Sequence, residues 1–165
     1  MQVRDIMSSP AIVVNSETSI PEVARIMREH QISGVPVTDQ NGQLLGVITD
    51  HDLITRSAPL QEPRYISVLS AYIPLSLDDH REYREQLRHA LATNAAELMS
   101  QEVETVTPDT SFEDAIKLML DPENTLLAVI EDYQLVGVLT RTDMVRLIER
   151  LESSLNDDEN GEPAA

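Results

Sequence analysis

Cysteine is absent from all 165 residues, which excludes disulfides, thiolate zinc sites and cysteine nucleophiles together. The absence fits a reducing interior, and the cytoplasm is the expected location. Lysine is nearly as scarce, with Lys117 alone, and no glycine-rich phosphate loop ending in lysine and no serine-centred nucleophile elbow occurs. His30, His51, His80 and His89 never form the i, i+4 pair beside an acid that a helical zinc site needs, so no metal cofactor is expected. His51 stands between Asp50 and Asp52, but consecutive side chains point in different directions, and the trio reads as a solvated helix start. A non-catalytic protein is expected.

Long apolar runs are also missing. None approaches the ~18 residues that cross a bilayer, and the N-terminus lacks the basic-then-apolar pattern of a secretory signal. Positive charge is in short supply: 29 acids against 12 bases give a formal net charge of −17, which opposes binding to phosphate backbones and anionic lipid. Neither nucleic acid nor membrane is an expected partner. Glu152, Asp157, Asp158, Glu159 and Glu162 face no base after Leu151, so residues 152–165 are expected to form a disordered acidic tail.

What the sequence does contain is a repeat. An offset of 92 aligns Met7 with Met99 and Val14 with Val106. Ile20, Val23, Ala24 and Met27 make the single apolar stripe of an amphipathic helix, matched by Phe112, Ala115, Ile116 and Met119. Ser19 with Glu22, and Ser111 with Asp114, resemble capping boxes at the two helix starts. Apolar runs at 35–38 and 126–130 follow, then turns, then Gly46-Val47-Ile48-Thr49 or Gly137-Val138-Leu139-Thr140, a β-hairpin pattern. The offset falls to 91 inside this turn, where Asn41-Gly42 faces Asp132-Tyr133. Second helices are seeded at Asp52-Leu53-Ile54 and Asp143-Met144-Val145, the latter extended by Leu147, Ile148 and Leu151. Each copy is therefore strand, helix, strand, strand, helix.

At roughly 55 residues neither copy buries a sizeable core alone, so one body with a shared core is expected. The domains read as repeat 1 at 1–56, a linker at 57–94, repeat 2 at 95–151 and the tail at 152–165. The linker carries Pro59, Pro63 and Pro74, a strand pattern at 65–69 and a helix pattern at 79–92. In that helix Tyr83, Leu87, Ala90 and Leu91 form the apolar stripe, and Arg81, Arg84, Arg88, Glu82 and Glu85 take the other faces. This reads as a packing face with a solvated one, or as a partner-contacting element.

The segments Val3-Arg4-Asp5-Ile6-Met7-Ser8, Ile32-Ser33-Gly34-Val35-Pro36-Val37 and Gly46-Val47-Ile48-Thr49-Asp50-His51-Asp52-Leu53 together resemble a CBS domain, and the second copy resembles one too. The duplication over residues 1–151 resembles a Bateman module of the stand-alone bacterial type. The fold this implies is mixed α/β (α+β): two repeats packed as a pseudo-two-fold module with a helical insert. The implied function is regulatory sensing of an adenosine-containing ligand, such as AMP, ADP or ATP, in the cleft between the repeats, with conformational signalling to an unidentified regulated protein. A homodimer is also implied, since modules of this family commonly pair side by side.

The chemistry has its own logic. An Asp at a helix N-terminus can accept both ribose hydroxyls with its two carboxylate oxygens, and Asp52 and Asp143 are so placed. Thr49 and Thr140, three residues earlier, either cap the helix or approach the ligand. Gly34 and Pro36 let a strand edge come close to a flat base. The resemblance implies a site in which the base lies against Ile12, Ile32, Ser33, Gly34, Val35 and Pro36 and the sugar is held by Thr140 and Asp143. Arg141 is the leading phosphate candidate, ahead of Arg146, His51 and Arg56. The reciprocal site would use Thr49 and Asp52. There Leu126, Ala128 and Glu104 replace Gly34, Pro36 and Ile12, so one good site per chain is expected. The rival reading is a ligand-free structural or interaction adaptor.

Overall fold

The structure is a computed structural model describing residues 1–59, 65–68, 71–74 and 77–159. After a short 3-10 turn at Val3–Asp5, the first repeat runs β1 (Val14–Asn15), α1 (Ile20–His30), β2 (Gly34–Thr38), β3 (Leu44–Thr49) and α2 (Asp50–Arg56). The insert follows as β4 (Tyr65–Val68), β5 (Ala71–Pro74) and α3 (Leu77–Leu91). The second repeat is α4 (Ala95–Leu98), β6 (Thr105–Val106), α5 (Phe112–Met119), β7 (Leu126–Glu131), β8 (Gln134–Thr140) and α6 (Arg141–Glu159).

Two three-stranded sheets carry the repeats, in the orders β1-β2-β3 and β6-β7-β8. Parallel pairing sets Val14 beside Val37 in the first and Val106 beside Val129 in the second. In the second sheet β7 and β8 are antiparallel, with Leu126 opposite Thr140. Asp132 and Tyr133 both take positive φ, the backbone twist a two-residue hairpin turn needs. The hairpin β4–β5 stands as a sheet of its own. The strand expected at 65–69 is thus found at Tyr65–Val68, Leu69 lying outside the described residues.

Local chemistry departs from expectation at three helices. Ser19 is the N-cap of α1 but makes no side-chain cap bond, and the Glu22 carboxylate that would complete a capping box is held instead by Arg25 one turn on. Ser111 does cap α5, accepting from the Asp114 N–H at 3.1 Å. On α3 Leu91 is exposed and Ala92, just beyond the helix, is buried in its place. Finally, α6 continues to Glu159 through residues 152–159, where a disordered tail was expected. No glycine or proline interrupts the chain from Arg141 to Glu159, so each added residue extends an existing hydrogen-bond ladder. Residues 160–165 of that expected tail lie outside the described residues.

The chain folds as two compact units that cut across the sequence repeats. Unit 1 comprises Met1–Ile12, Asn41–Leu44 and the described residues from Glu102 on; unit 2 comprises Val13–Gln40 and the described residues of Leu45–Gln101. Each has its own apolar cluster. Val23, Val35, Val37, Ile48 and Leu98 are fully buried in unit 2, and Val3, Leu127, Val129 and Leu139 in unit 1.

The physical reason is an exchange of leading segments. Ser8 forms a two-bond antiparallel bridge with Val138 in unit 1, N–H to O at 2.9 and 3.0 Å. Its repeat-mate Ser100 bridges Val47 in unit 2, with both bonds at 2.9 Å. Met7 therefore packs on Gly137, and Met99 on Gly46. Each repeat's leading segment closes the core built around the other repeat's strands.

Candidate functional site

Asp143 lies in the first turn of α6, directly after β8, and is only 6% exposed. Its Oδ2 accepts from the Thr140 N–H at 2.9 Å and from the Thr140 hydroxyl at 2.7 Å, while its own N–H donates to Thr140 Oγ1 at 3.3 Å. Thr-x-x-Asp is thus a closed capping box, which satisfies donors that the helix start leaves orphaned. The other oxygen, Oδ1, accepts from the Ser8 hydroxyl at 2.9 Å and lies 3.5 Å from Arg146 Nη1. A buried carboxylate persists only when it is paired and hydrogen-bonded in this way.

The same device recurs in unit 2. Asp52 Oδ2 accepts from the Thr49 N–H at 2.7 Å and the Thr49 hydroxyl at 2.8 Å, and the Asp52 N–H reaches Thr49 Oγ1 at 3.4 Å. The Asp50 N–H donates to the Ser33 carbonyl at 2.8 Å, so this box sits beside the start of β2. Asp52 is half-exposed, unlike Asp143.

The remaining predicted residues fall as follows. Thr140, Arg141 and Asp143 belong to unit 1, with Ile12 at the end of its leading segment and half-buried. Ile32, Ser33, Gly34, Val35 and Pro36 belong to unit 2, where Ser33 is exposed, Gly34 and Pro36 are buried, and Val35 packs in the core with Ile32 against it. Leu126 and Ala128 are buried and Glu104 is exposed, its carbonyl accepting the Ala128 N–H at 3.0 Å. Arg141 donates through Nη2 to the carbonyls of Asp121 and Pro122 at 3.0 and 3.2 Å, so it braces the loop after α5. Arg56 likewise holds the Ala92 carbonyl, at 3.1 and 3.0 Å. Arg146 is the candidate cation that the structure brings to an Asp of the Thr-x-x-Asp pattern.

Beside Asp143 lies a hollow of about 140 Å³ lined by Ile6, Met7, Ser8, Asp143, Arg146, Leu147 and Arg150. Sequence reasoning missed Ser8 and Arg150. The i, i+3, i+7 spacing of 143, 146 and 150 marks one helix face, but only the segment exchange brings Ser8 to it. Among the described residues no group of three or more His, Asp or Glu is placed to hold a metal ion, and no helix is long and apolar enough to cross a membrane.

A duplicated α+β module, each repeat ending in a threonine–aspartate box at a helix start, is the class that fold and site define. The model of the CBS domain matches residues 3–58 and 95–150, and the chain belongs to that family as a pair of repeats. It is 31% identical over 159 residues to the uncharacterized protein MJ1426 of Methanocaldococcus jannaschii, covering 90% of this chain and 91% of that one. The chloroplastic CBS domain-containing protein CBSX2 of Arabidopsis thaliana is 27% identical over 81% of this chain, which spans 57% of that relative. Among solved structures, CBSX2 in complex with AMP superposes with a TM-score of 0.73 at 26% identity, covering 90% of this chain and 97% of that one. The CBS domain pair of MJ0100, in complex with 5′-methylthioadenosine and S-adenosyl-L-methionine, gives 0.65 at 25% identity, covering 90% and 96%.

Proposed function

We propose that this chain is a non-catalytic regulatory module of the cell interior that senses an adenine nucleotide of the AMP, ADP or ATP class and signals to a partner protein. Asp143 and Thr140 hold the sugar, and Ile12, Ile32, Ser33, Gly34, Val35 and Pro36 receive the base. The AMP bound by CBSX2 and the adenosine compounds bound by the MJ0100 pair support the ligand class. The observation that carries the reading is the Asp143 carboxylate: it is buried, pre-oriented by Thr140, and bound on its remaining oxygen by a neutral hydroxyl.

That hydroxyl supplies a signalling step. A ribose hydroxyl that binds Oδ1 replaces Ser8, which belongs to the leading segment bridged to Val138. Ligand occupancy and the set of the leading segment are then in competition for one oxygen, which gives the differential affinity a conformational signal requires. Calorimetric titration with AMP, ADP and ATP tests the reading; heats of binding support it, and their absence for all three rejects it.

A second reading, an interaction adaptor working without ligand, is favoured by the outer face of α6. There Val145, Ile148 and Leu151 are 64%, 53% and 48% exposed, too much apolar side chain on one helix for water alone. In both readings this face joins two copies in a homodimer.

A further inference from the structure

Cations are scarce in this chain, yet α3 gathers three of them in one row. Arg81, Arg84 and Arg88 stand at i, i+3 and i+7, which 3.6 residues per turn brings to a single helix face. All three are exposed, and Leu91, three residues past Arg88 and on the same side, is 69% exposed. Within unit 2 α3 packs on α2 and α4, and its half-buried residues, Tyr83, Leu87 and Ala90, lie off the arginine row.

The helix does not neutralise this row by itself. Arg88 meets Glu85 at 3.3 Å, but among the described residues neither Arg81 nor Arg84 meets a carboxylate. Each guanidinium offers five N–H donors in a planar fork whose geometry matches a carboxylate.

The far end of α6 has the opposite excess. Its last turn carries Asp157, Asp158 and Glu159, with no base among them. A helix C-terminus is the negative pole of the macrodipole, so carboxylates are unfavourable there and a cation is favourable. Glu152, earlier on the same helix, adds to the same sign. Two copies of a chain of formal net charge −17 repel each other, and a contact between the arginine row and this base-free end sets opposite charges together where each is in excess.

We propose that the Arg81–Arg84–Arg88 face of α3 binds the acidic end of α6, residues 152–159, from a second copy of this chain. The contact is reciprocal about a two-fold axis, each copy giving one row and one acidic end. Arg81 and Arg84 take the last-turn carboxylates and so supply, from outside, the cation that the C-terminus of α6 lacks. Pairs of this kind stay wet, so the contact is salt-sensitive, with charges screened beyond ~8 Å at physiological ionic strength. It is independent of the nucleotide reading.

The test follows the arginine Nε–H signals of the full chain by NMR at low salt. Neutralising the acidic end, with Asp157→Asn, Asp158→Asn and Glu159→Gln together, is expected to shift Arg81 and Arg84. Arg28, an exposed cation on α1 of the same unit, should stay in place. In the unaltered chain, added salt should move Arg81 and Arg84 in the same direction as neutralisation does. The neutralised chain, isotope-labelled, is then mixed with an unlabelled Arg81→Gln, Arg84→Gln chain, which keeps its acids but lacks the row that holds them. Mixing is expected to return the labelled Arg81 and Arg84 to their wild-type positions. Only a second copy can do this, because the labelled chain has lost its own last-turn carboxylates. Matching melting curves for wild type and both variants establish that the fold is intact. Signals that move on neutralisation but fail to return on mixing put the acidic end on its own chain and overturn the second copy as occupant. Signals of Arg81 and Arg84 that ignore neutralisation overturn the proposal outright.

Discussion

The Ser8 hydroxyl donates to Oδ1 of Asp143 at 2.9 Å across 135 residues of sequence, tying the leading segment to the first turn of the last helix. Ser8→Ala removes the competitor for that oxygen without enlarging any group in the hollow. Nucleotide affinity is expected to rise by ~1 kcal/mol, about fivefold, because a typical hydrogen bond contributes that much net. Calorimetry on the single variant reads the change; a loss of affinity instead would make Ser8 a ligand contact and not a competitor.

Gly46 and Gly137 are where the exchanged segments come closest. A Cβ at Gly46 would stand 2.5 Å from the Ser100 carbonyl oxygen, and one at Gly137 3.0 Å from that of Ser8, with a methionine sulfur 2.9 Å away in both cases. Gly46→Ala is expected to cost about 1–3 kcal/mol of stability by overpacking, and Gly137→Ala less, since its tightest neighbour is the flexible end of Met7. Urea denaturation midpoints rank the pair. Equal midpoints for wild type and Gly46→Ala would contradict the reported bridge.

Much of this was legible in sequence, and the boundary of what was not is physical. Helix stripes, hairpins and the Thr-x-x-Asp boxes are local patterns, and they appear where periodicity put them. The exchange is not local. The 92-residue offset makes Met7 and Met99 equivalent, so either could pack on Gly46 or Gly137 with the same side-chain chemistry, and sequence gives no means to choose. Ser8 facing Asp143, and hence the hollow, follows from that choice. The capping box expected at Ser19 and Glu22 is incomplete for a comparable reason: the Glu22 carboxylate had a second partner in Arg25, and pairwise competition is invisible to a motif.

Acid stability should depend on exposed carboxylates held by specific partners. Lys117, with the Ser111 hydroxyl, holds the Asp114 carboxyl below its ordinary range, and the Thr93 backbone N–H and hydroxyl do the same for Glu97. A lowered folded-state value means stability present above the unfolded value and lost as pH falls through the folded one. Asp114→Asn and Glu97→Gln should therefore flatten the acid limb of a stability–pH curve below the ordinary carboxylate range and leave its shape near neutrality unchanged. An acid limb of undiminished slope in both variants would show that neither contact matters.

The outer face of α6 predicts an oligomeric change. Ile148→Glu places a charge in the middle of the exposed row of Val145, Ile148 and Leu151 while leaving the buried Met144 and Leu147 untouched. Sedimentation velocity should find dimer for the wild type and monomer for the variant, both with unchanged helical content. A wild type that sediments as monomer at all concentrations removes the dimer.

The account stands on one carboxylate. Titration of Asp143→Ala and Asp52→Ala with AMP, side by side with the wild type, measures it directly. The prediction is a loss of affinity for Asp143→Ala at least about tenfold greater than for Asp52→Ala, as expected when charge-assisted bonds to the ligand disappear from one site only. Equal losses in the two variants, or none in either, would contradict it.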